Sequence, residues 1–410
     1  MNNTKVINID KYFDQKHLQI LNEVSEIAHI SGFKIYLVGG VVRDIIFKEQ
    51  YLDTDILVEG DALLFVDKIK NHLPNVEVIK QQNDLHTATL VFNGEIEIDF
   101  ASTRKESYPQ KGFLPHIDQI GCSIEEDSKR RDFTVNTLLI SLNKEDKYAL
   151  SDFHNALKVG NFSYLNMRFN ILHKDSFIDD PSRILRLVKF LSRFSYDLDI
   201  NEETWDAFEN YLKNPLRNIP VARIKSEFID IFNHAYVPAM YFLKTETYKV
   251  IADQINKPRK VLFFDPYVKA AKLIKKYANE SKYIWLIYFL IFFYGENMPD
   301  FDFDNQEKKI IEGVDILFET EDEKHLYKSL SKISTESVIV YAFLKNDNKI
   351  FKKLQKLSEI KIYTTGDDLI SMGFKPSSLF KEIFDRILDE KLKSYLKTKE
   401  EEENFIKSNF

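Results

Sequence analysis

Two rhythms of apolar and polar positions run along this chain. In residues 14–30 (DQKHLQILNEVSEIAHI) apolar side chains recur every three or four positions, which predicts an amphipathic helix. Lys34–Val38 (KIYLV), Thr54–Val58 (TDILV) and Glu95–Phe100 (EIEIDF) are short and rich in β-branched residues, which predicts strands. From about residue 163 strand signals almost vanish. Successive amphipathic helices are predicted there, punctuated by Pro181, Pro215, Pro220, Pro238, Pro258 and Pro266. The fold class is therefore α+β: a small mixed sheet with helices, followed by an all-α remainder. Joints are expected near 145–165, 235–260 and 296–305, and no internal repeat is visible.

The most apolar run, Tyr283–Tyr294 (YIWLIYFLIFFY), is shorter than the roughly 17–25 residues a membrane-spanning helix needs and reads as a buried core helix, with no membrane role. The charge-dense stretch Lys391–Glu403 mixes both signs and reads as a solvated helix end.

Composition sharpens this picture only in places. With 410 residues, more than one domain is expected, and 44% hydrophobic against 30% charged residues excludes wholesale disorder. Only 12 glycines occur, so each is informative. A net charge of -7 argues against a protein that grips long nucleic acid over its whole surface, while leaving a local basic groove open. The single cysteine, Cys122, permits no internal disulfide and fits a reducing compartment, so a cytoplasmic location is expected. The N-terminus, MNNTKVINIDKYF, lacks the charged-then-apolar layout of a secretory signal.

Candidate chemistry begins at Tyr36–Asp44 (YLVGGVVRD), where a strand runs into Gly39-Gly40 and then a helix start. Such a bend aims backbone N–H groups and a positive helix end at an anion, and a missing Cβ lets phosphate oxygens approach. Farther on, Asp53 and Asp55 stand two apart on a predicted strand and so project from one face. Two carboxylates on one face repel, and hard oxygen donors suit Mg²⁺ completed by substrate phosphates. Asp99, on the next strong strand, could join them if the strands are neighbours, a two-metal geometry in prospect. An isolated Asp-x-Asp would equally suit a charged sheet edge.

Gly-Gly with Arg43-Asp44, the paired aspartates and RRDFTVNTL (Arg130–Leu138) occur in this order. The combination resembles the class II nucleotidyltransferase family, which contains tRNA CCA-adding enzymes and bacterial poly(A) polymerases, and the resemblance spans roughly residues 30–235. It implies a palm-like N-terminal nucleotidyltransferase head in which Asp53 and Asp55 hold the metals. It also implies that Gly39, Gly40, Arg43, Asp44, Arg130, Arg131, Asp132 and Asn136 face the nucleotide. Guanidinium forks match phosphate oxygens, and a carboxylate accepts from a ribose hydroxyl. Thr137 departs from the family pattern, standing where alanine is usual.

A second constellation is Asp179-Asp180-Pro181-Ser182-Arg183, opening RILRLVKFLSRF, with Arg186 one turn on. Asp180 and Arg183 share a helical face. Adenine and cytosine present an amino donor beside a ring-nitrogen acceptor, which a carboxylate beside a guanidinium fits; uracil and guanine present the reverse. DDPSR resembles the family's EDxxR element, which implies base recognition by Asp180 and Arg183, with Asp179 in place of the usual glutamate, and Arg186 is counted with them as a nucleotide-binding residue. A plain helical ion pair is the alternative. Asn218–Phe232 (NIPVARIKSEFIDIF) resembles the family's later neck helix, and Arg223 and Glu227 are assigned no chemistry.

Residues 101–122 read as a long loop. In the family this segment is a flexible loop associated with adding the terminal A, so its length favours A or complete CCA addition. Ile362–Leu392 resembles a tail segment of some members, with Gly373 at a helix end and Pro376 after it. The nine histidines include no His-Asp pair, so no HD-type phosphohydrolase domain is expected. The resemblance implies a head at 1–145, a neck with base recognition at 146–235, a helical body at 236–305 and a tail at 306–410 that binds tRNA. The expected activity is template-independent addition of CCA, or of A alone, to the tRNA acceptor end from CTP and ATP. A poly(A) polymerase or an inactive RNA-binding relative are the alternatives, and the sequence leaves the oligomeric state open.

Overall fold

The structure is a computed structural model that describes residues 5–47, 53–157, 167–194, 199–213, 220–232, 265–295, 298, 301–320 and 322–410. The chain divides into two compact units, one of Met1–Glu227 with Tyr241–Gln254, the other of Phe228–Met240 with Ile255–Phe410.

The first unit opens with α1 (Gln15–Ser31), capped by the Asp14 side chain on the His17 N–H and ended by Gly32 at φ +76°. Its apolar stripe, including Leu21, Val24 and Ala28, is buried, as its periodicity predicts. β1 (Lys34–Val38) leads into α2 (Gly40–Phe47), β2 (Thr54–Glu59) and α3 (Ala62–His72). Then follow β3 (Val76–Gln82), β4 (Thr87–Phe92), β5 (Ile96–Ser102), β6 (Arg104–Ser107), β7 (His116–Ile120), α4 (Ile124–Ser128), β8 (Leu139–Ser141) and β9 (Leu150–Ser151). Seven of these strands form one sheet in the order β3-β4-β5-β2-β1-β8-β9. The β2–β5 pair is parallel and sets Asp55 directly beside Asp99, whereas β1 pairs antiparallel with both β2 and β8. Buried Phe65 and Ile69 of α3 lie on this sheet, with the Phe65 and Phe100 rings 6.0 Å apart edge to face. Because β5 alternates between buried and outward residues, Ile98 and Phe100 enter the core and Asp99 faces out.

Four differences from expectation concern strands. Residues 101–122 are not an irregular loop: β6 and β7 pair antiparallel, from Arg104 opposite Ile120 to Ser107 opposite His116, around a tip at 108–115. These strands are polar and half-exposed, so no apolar alternation announced them. The largely exposed edge strand β3 was silent for the same reason. The main sheet also runs past residue 145, since β9 ends at Ser151, and Asp53 stands just before β2 rather than within it.

Beyond Ser151 no further named strand occurs among the described residues. α5 (Ser176–Asp179), α6 (Ser182–Phe194), α7 (Glu202–Lys213) and α8 (Val221–Phe232) follow, and Pro181 and Pro220 stand immediately before α6 and α8. Pro215, Pro238 and Pro258 lie outside the described residues.

The second unit is helical throughout its described residues, with α9 (Asp265–Tyr277), α10 (Ile284–Phe293), α11 (Asn305–Glu319), α12 (Glu323–Lys328), α13 (Thr335–Lys345), α14 (Lys349–Glu359), α15 (Gly366–Ser371), α16 (Ser378–Leu392) and α17 (Lys399–Asn409). α10 is the predicted core helix: every side chain from Trp285 to Phe293 is buried. The Phe289 ring packs 5.7 Å from Phe228 and 4.6 Å from Phe301. No helix among the described residues is long and apolar enough to cross a membrane. Gly373 takes φ +97° just after α15, as a helix-terminating glycine should.

Candidate nucleotide site

The bend between β1 and α2 is glycine for a steric reason. Gly39 has φ +72°, and a Cβ there would stand 3.3 Å from Asp55 Oδ2. The Asp55 carboxylate thus lies against the Gly-Gly bend, which also begins a helix whose N-terminus favours anions. Burial, then the charges of Asp99 and Asp53, push the Asp55 carboxyl up to about 6, while Arg131 and Arg43 oppose the rise. Asp53 is exposed. Asp99 accepts a 2.5 Å hydrogen bond from Thr89 Oγ1 on β4. Among the described residues no three His, Cys, Asp or Glu side chains group as a metal site, so the register neighbours Asp55 and Asp99 do not complete a three-acid cluster with Asp53. What the structure offers a cation is a mutually repelling aspartate pair of hard oxygens, with coordination left for water and phosphate. That donor set fits a divalent ion.

Charge of the opposite sign reaches Asp55 from Arg131, the neighbour of Arg130. Both converge on Asp127, which is fully buried: Arg130 Nε donates over 2.9 Å to one carboxylate oxygen, and Arg131 Nε and Nη2 donate over 3.1 and 2.9 Å to the other. The Arg104 backbone N–H adds a 3.0 Å bond. Burial alone would raise the Asp127 carboxyl, but the guanidiniums of Arg131 and Arg130 outweigh it and hold it below its ordinary value. Glu106, on the β6–β7 hairpin, accepts from Arg104 Nε at 2.6 Å and Arg130 Nη1 at 3.1 Å. Sequence reasoning passed over Asp127, yet a signal was there: it precedes Arg130 and Arg131 by three and four positions, the spacing that pairs charges on one helical face.

A continuous polar chain joins the remaining motif residues. Arg43, buried and 5.2 Å over the Phe190 ring, donates to Asp44 at 3.1 Å and to Asn136 Oδ1 at 3.4 Å. Asn136 Nδ2 donates to Asp132 Oδ1 at 2.9 Å, and Asp132 Oδ2 accepts from Arg186 Nη1 at 2.8 Å. Burial would raise the Asp132 carboxyl, but Arg186 and the Asn136 bond prevail and lower it. Arg186 Nη2 reaches Asp180 Oδ2 at 3.0 Å, and Arg186 Nε lies 3.1 Å from Glu227 Oε1. Arg186 thereby links the RRDFTVN and DDPSR segments. The Thr137 hydroxyl, at the position that departs from the family pattern, simply donates to the Thr134 carbonyl at 2.7 Å.

Asp180 and Arg183 are both buried, and their mutual approach is long, 3.9 Å. Arg183 donates instead to Ser176 Oγ at 2.6 Å, to the Arg130 carbonyl at 2.9 Å and to the Tyr108 hydroxyl at 3.3 Å. Asp179 pairs with Lys111 at the hairpin tip, and the Gly112 N–H donates to the Asp179 carbonyl at 3.1 Å. The segment read as a loop therefore docks against the DDPSR turn. Arg223, to which no chemistry was assigned, contacts Asp180 directly at 2.7 Å.

Comparison with known proteins follows the same lines. Residues 35–159 match the Poly A polymerase head domain family. The A-adding tRNA nucleotidyltransferase of Halalkalibacterium halodurans is 29% identical, over 96% of this chain and 93% of that protein. The A-adding tRNA nucleotidyltransferase of Geobacter sulfurreducens is 25% identical over 96% of this chain, which spans 47% of that longer protein. Among solved structures, a CCA-adding enzyme in an apo form superposes with a TM-score of 0.75 at 24% identity, covering 98% of each chain. The Thermotoga maritima CCA-adding enzyme complexed with tRNA gives 0.67 at 22% identity, again over 98% of each chain, and at these identities the likeness speaks for the fold.

Proposed function

We propose that the chain acts as a member of the class II nucleotidyltransferase family and extends the 3′ end of tRNA without a nucleic-acid template. The RNA 3′-hydroxyl oxygen attacks the α-phosphorus of ATP, or of CTP and then ATP. The new P–O bond forms as the bond to the bridging oxygen breaks, and pyrophosphate leaves. The observation that carries this reading is the Asp55 carboxylate, pushed up by burial and then by its acidic neighbours Asp99 and Asp53, and lying against the Gly39 bend.

Members of the family generally use divalent metal ions. In this reading Asp53 and Asp55 hold Mg²⁺, which when bound favours the ionised hydroxyl and offsets charge on the leaving group. The protein's own groups do the rest. N–H groups at the start of α2 and the guanidinium ends of Arg130 and Arg131, held by Asp127, bind and orient the phosphates. Arg43 adds positive charge beside the aspartates, while Asp132 and Asn136 hold the clamp in register with α6. Asp180 and Arg183 select the base, the neck spans 146–235, and the tail from 306 binds tRNA. A cytoplasmic site of action goes with this substrate.

Addition of the terminal A is favoured over complete CCA addition, because the two named relatives above are A-adding enzymes. The test is product analysis on tRNAs ending before the first C, after CC, and after each intermediate, offered CTP and ATP separately with Mg²⁺. One A on a CC end alone supports A addition, ordered C, C and A supports complete CCA addition, and long A tracts would replace both with poly(A) synthesis. Binding without pyrophosphate release would leave an RNA-binding relative.

A further inference from the structure

The carboxylate proposed to read the base is already fully engaged. Asp180 Oδ1 accepts from the Ser182 N–H at 3.1 Å and Ser182 Oγ at 2.6 Å. Asp180 Oδ2 accepts from Arg186 at 3.0 Å and forms an ion pair with Arg223 Nη2 at 2.7 Å. The residue meant to work beside it, Arg183, is the guanidinium it does not bond: Arg183 Nε stands 3.9 Å away, buried, with no hydrogen-bond partner among the described residues. A buried unpaired donor is costly, so this arrangement is not the most favourable one for Arg183. An exocyclic amino group can donate to Asp180 only if one of the present donors withdraws.

Of the three described residues that engage Asp180, the two that carry charge differ. Arg186 is shared among three acids, Asp132, Asp180 and Glu227, and moving it breaks the polar chain to the head. Arg223 has Asp180 as its acid partner among the described residues, and its other bond is to the neutral carbonyl of Phe113, at 2.5 Å. Taking Asp180 from Arg223 therefore disturbs the fewest charged contacts.

Building on the nucleotidyltransferase reading, we propose that Arg223 is a positioning residue for base selection: it holds Asp180 in a closed, nucleotide-free arrangement from which the incoming base must draw the carboxylate. Apparent affinity for a nucleotide falls by the fraction of protein in the competent state, so this hold weakens ATP binding. It also admits only bases that compensate for the lost ion pair with a donor of their own.

The test titrates ATP and GTP binding to the full chain without RNA, then measures kcat and KM for ATP and GTP on primer tRNA. Arg223→Ala should bind ATP about 3–10-fold more tightly, with kcat within about 3-fold of the parent and a reduced preference for ATP over GTP. Arg223→Lys, which keeps one charge but not the fork, should fall between them. In an Asp180→Asn background the Arg223→Ala change should disappear, because the two act through one contact. Unchanged or weakened ATP binding in Arg223→Ala, or the same gain in the Asp180→Asn background, overturns the proposal. Should Arg223→Ala fail to fold, Arg223→Lys answers the same question: binding no tighter than the parent overturns it. Because ATP binding is read without RNA, an absence of incorporation by the parent would defeat the enzymatic reading while leaving this one measurable.

Discussion

The two units bury charge in opposite ways. In the second, the core is aromatic and aliphatic, and a buried ion pair there is saturated: Glu402 pairs with Lys391 at 2.5 Å and accepts from the Tyr363 and Thr364 N–H groups and from the Thr364 hydroxyl. In the first, Arg43, Asp44, Asp127, Asp132, Asp179, Asp180 and Arg183 are all buried, and the set is not settled: Arg183 Nε has no hydrogen-bond partner among the described residues and the Asp55 carboxyl is driven upward. A buried charge with every bond made locks a fold, whereas one left short invites a ligand to complete it.

Substitutions can break this comparison. The largest effect is expected at Asp55, where Asp55→Ala should lower incorporation at least about 1000-fold with the circular dichroism spectrum unchanged. Asp55→Asn should be equally inactive yet raise the melting temperature at pH 7 in chelator. Because folding raises the Asp55 pKa, its charge opposes the fold as pH rises from about 4 through about 6, and removing that charge should return about 1–3 kcal/mol. A lower melting temperature would refute the repulsion.

Asp127 should behave with the opposite sign. Asp127→Ala leaves two guanidiniums without their shared carboxylate and should cost about 3–5 kcal/mol in denaturant unfolding, together with a raised KM for ATP. Since folding lowers the Asp127 and Asp132 pKa values, their contribution is complete above the ordinary carboxylate range and is lost as pH falls from there through their lowered folded values. Melting curves between pH 7 and 3 should show this loss, and it should shrink in Asp127→Ala.

In the second unit Glu402→Ala should cost a similar amount, about 3 kcal/mol, by stranding Lys391 and the 363–364 backbone. ATP affinity measured without RNA should stay at the parent value, and a change there would contradict the division of labour between the units. The smallest effect belongs to Thr137→Ala, which restores the usual family residue. It removes one neutral hydrogen bond, so a loss of about 1 kcal/mol or less with unaltered kcat is expected.

Much of the site was legible because its signals are local. The glycine pair after Val38 depends on backbone geometry over a few residues, whereas the strand face expected for Asp53 with Asp55 and the helical face expected for Asp180 with Arg183 are not formed, since Asp53 precedes β2 and Asp180 precedes α6. The helix over 14–30 and the core helix within 283–294 were legible for the same reason. The hairpin of β6 and β7 was not, since polar strands pair through backbone groups that every residue carries. Asp127 was legible in principle, by its helical spacing, and was passed over beside the more conspicuous arginines.

By itself the sequence determined which residue types could do chemistry and which short stretches would be helix or strand, because rise and side-chain direction follow from the chain's own geometry. Only the tertiary structure decided who meets whom. Asp55 lies beside Asp99 because β2 and β5 pair in parallel, a connection that leaves no local pattern. Arg223 meets Asp180 because α8 brings it there, and Arg186 spans to Asp132 because burial forced each charge to find a partner. Such pairings are chosen by packing and by the cost of an unpaired charge in a dry interior, and neither is written in the neighbouring residues.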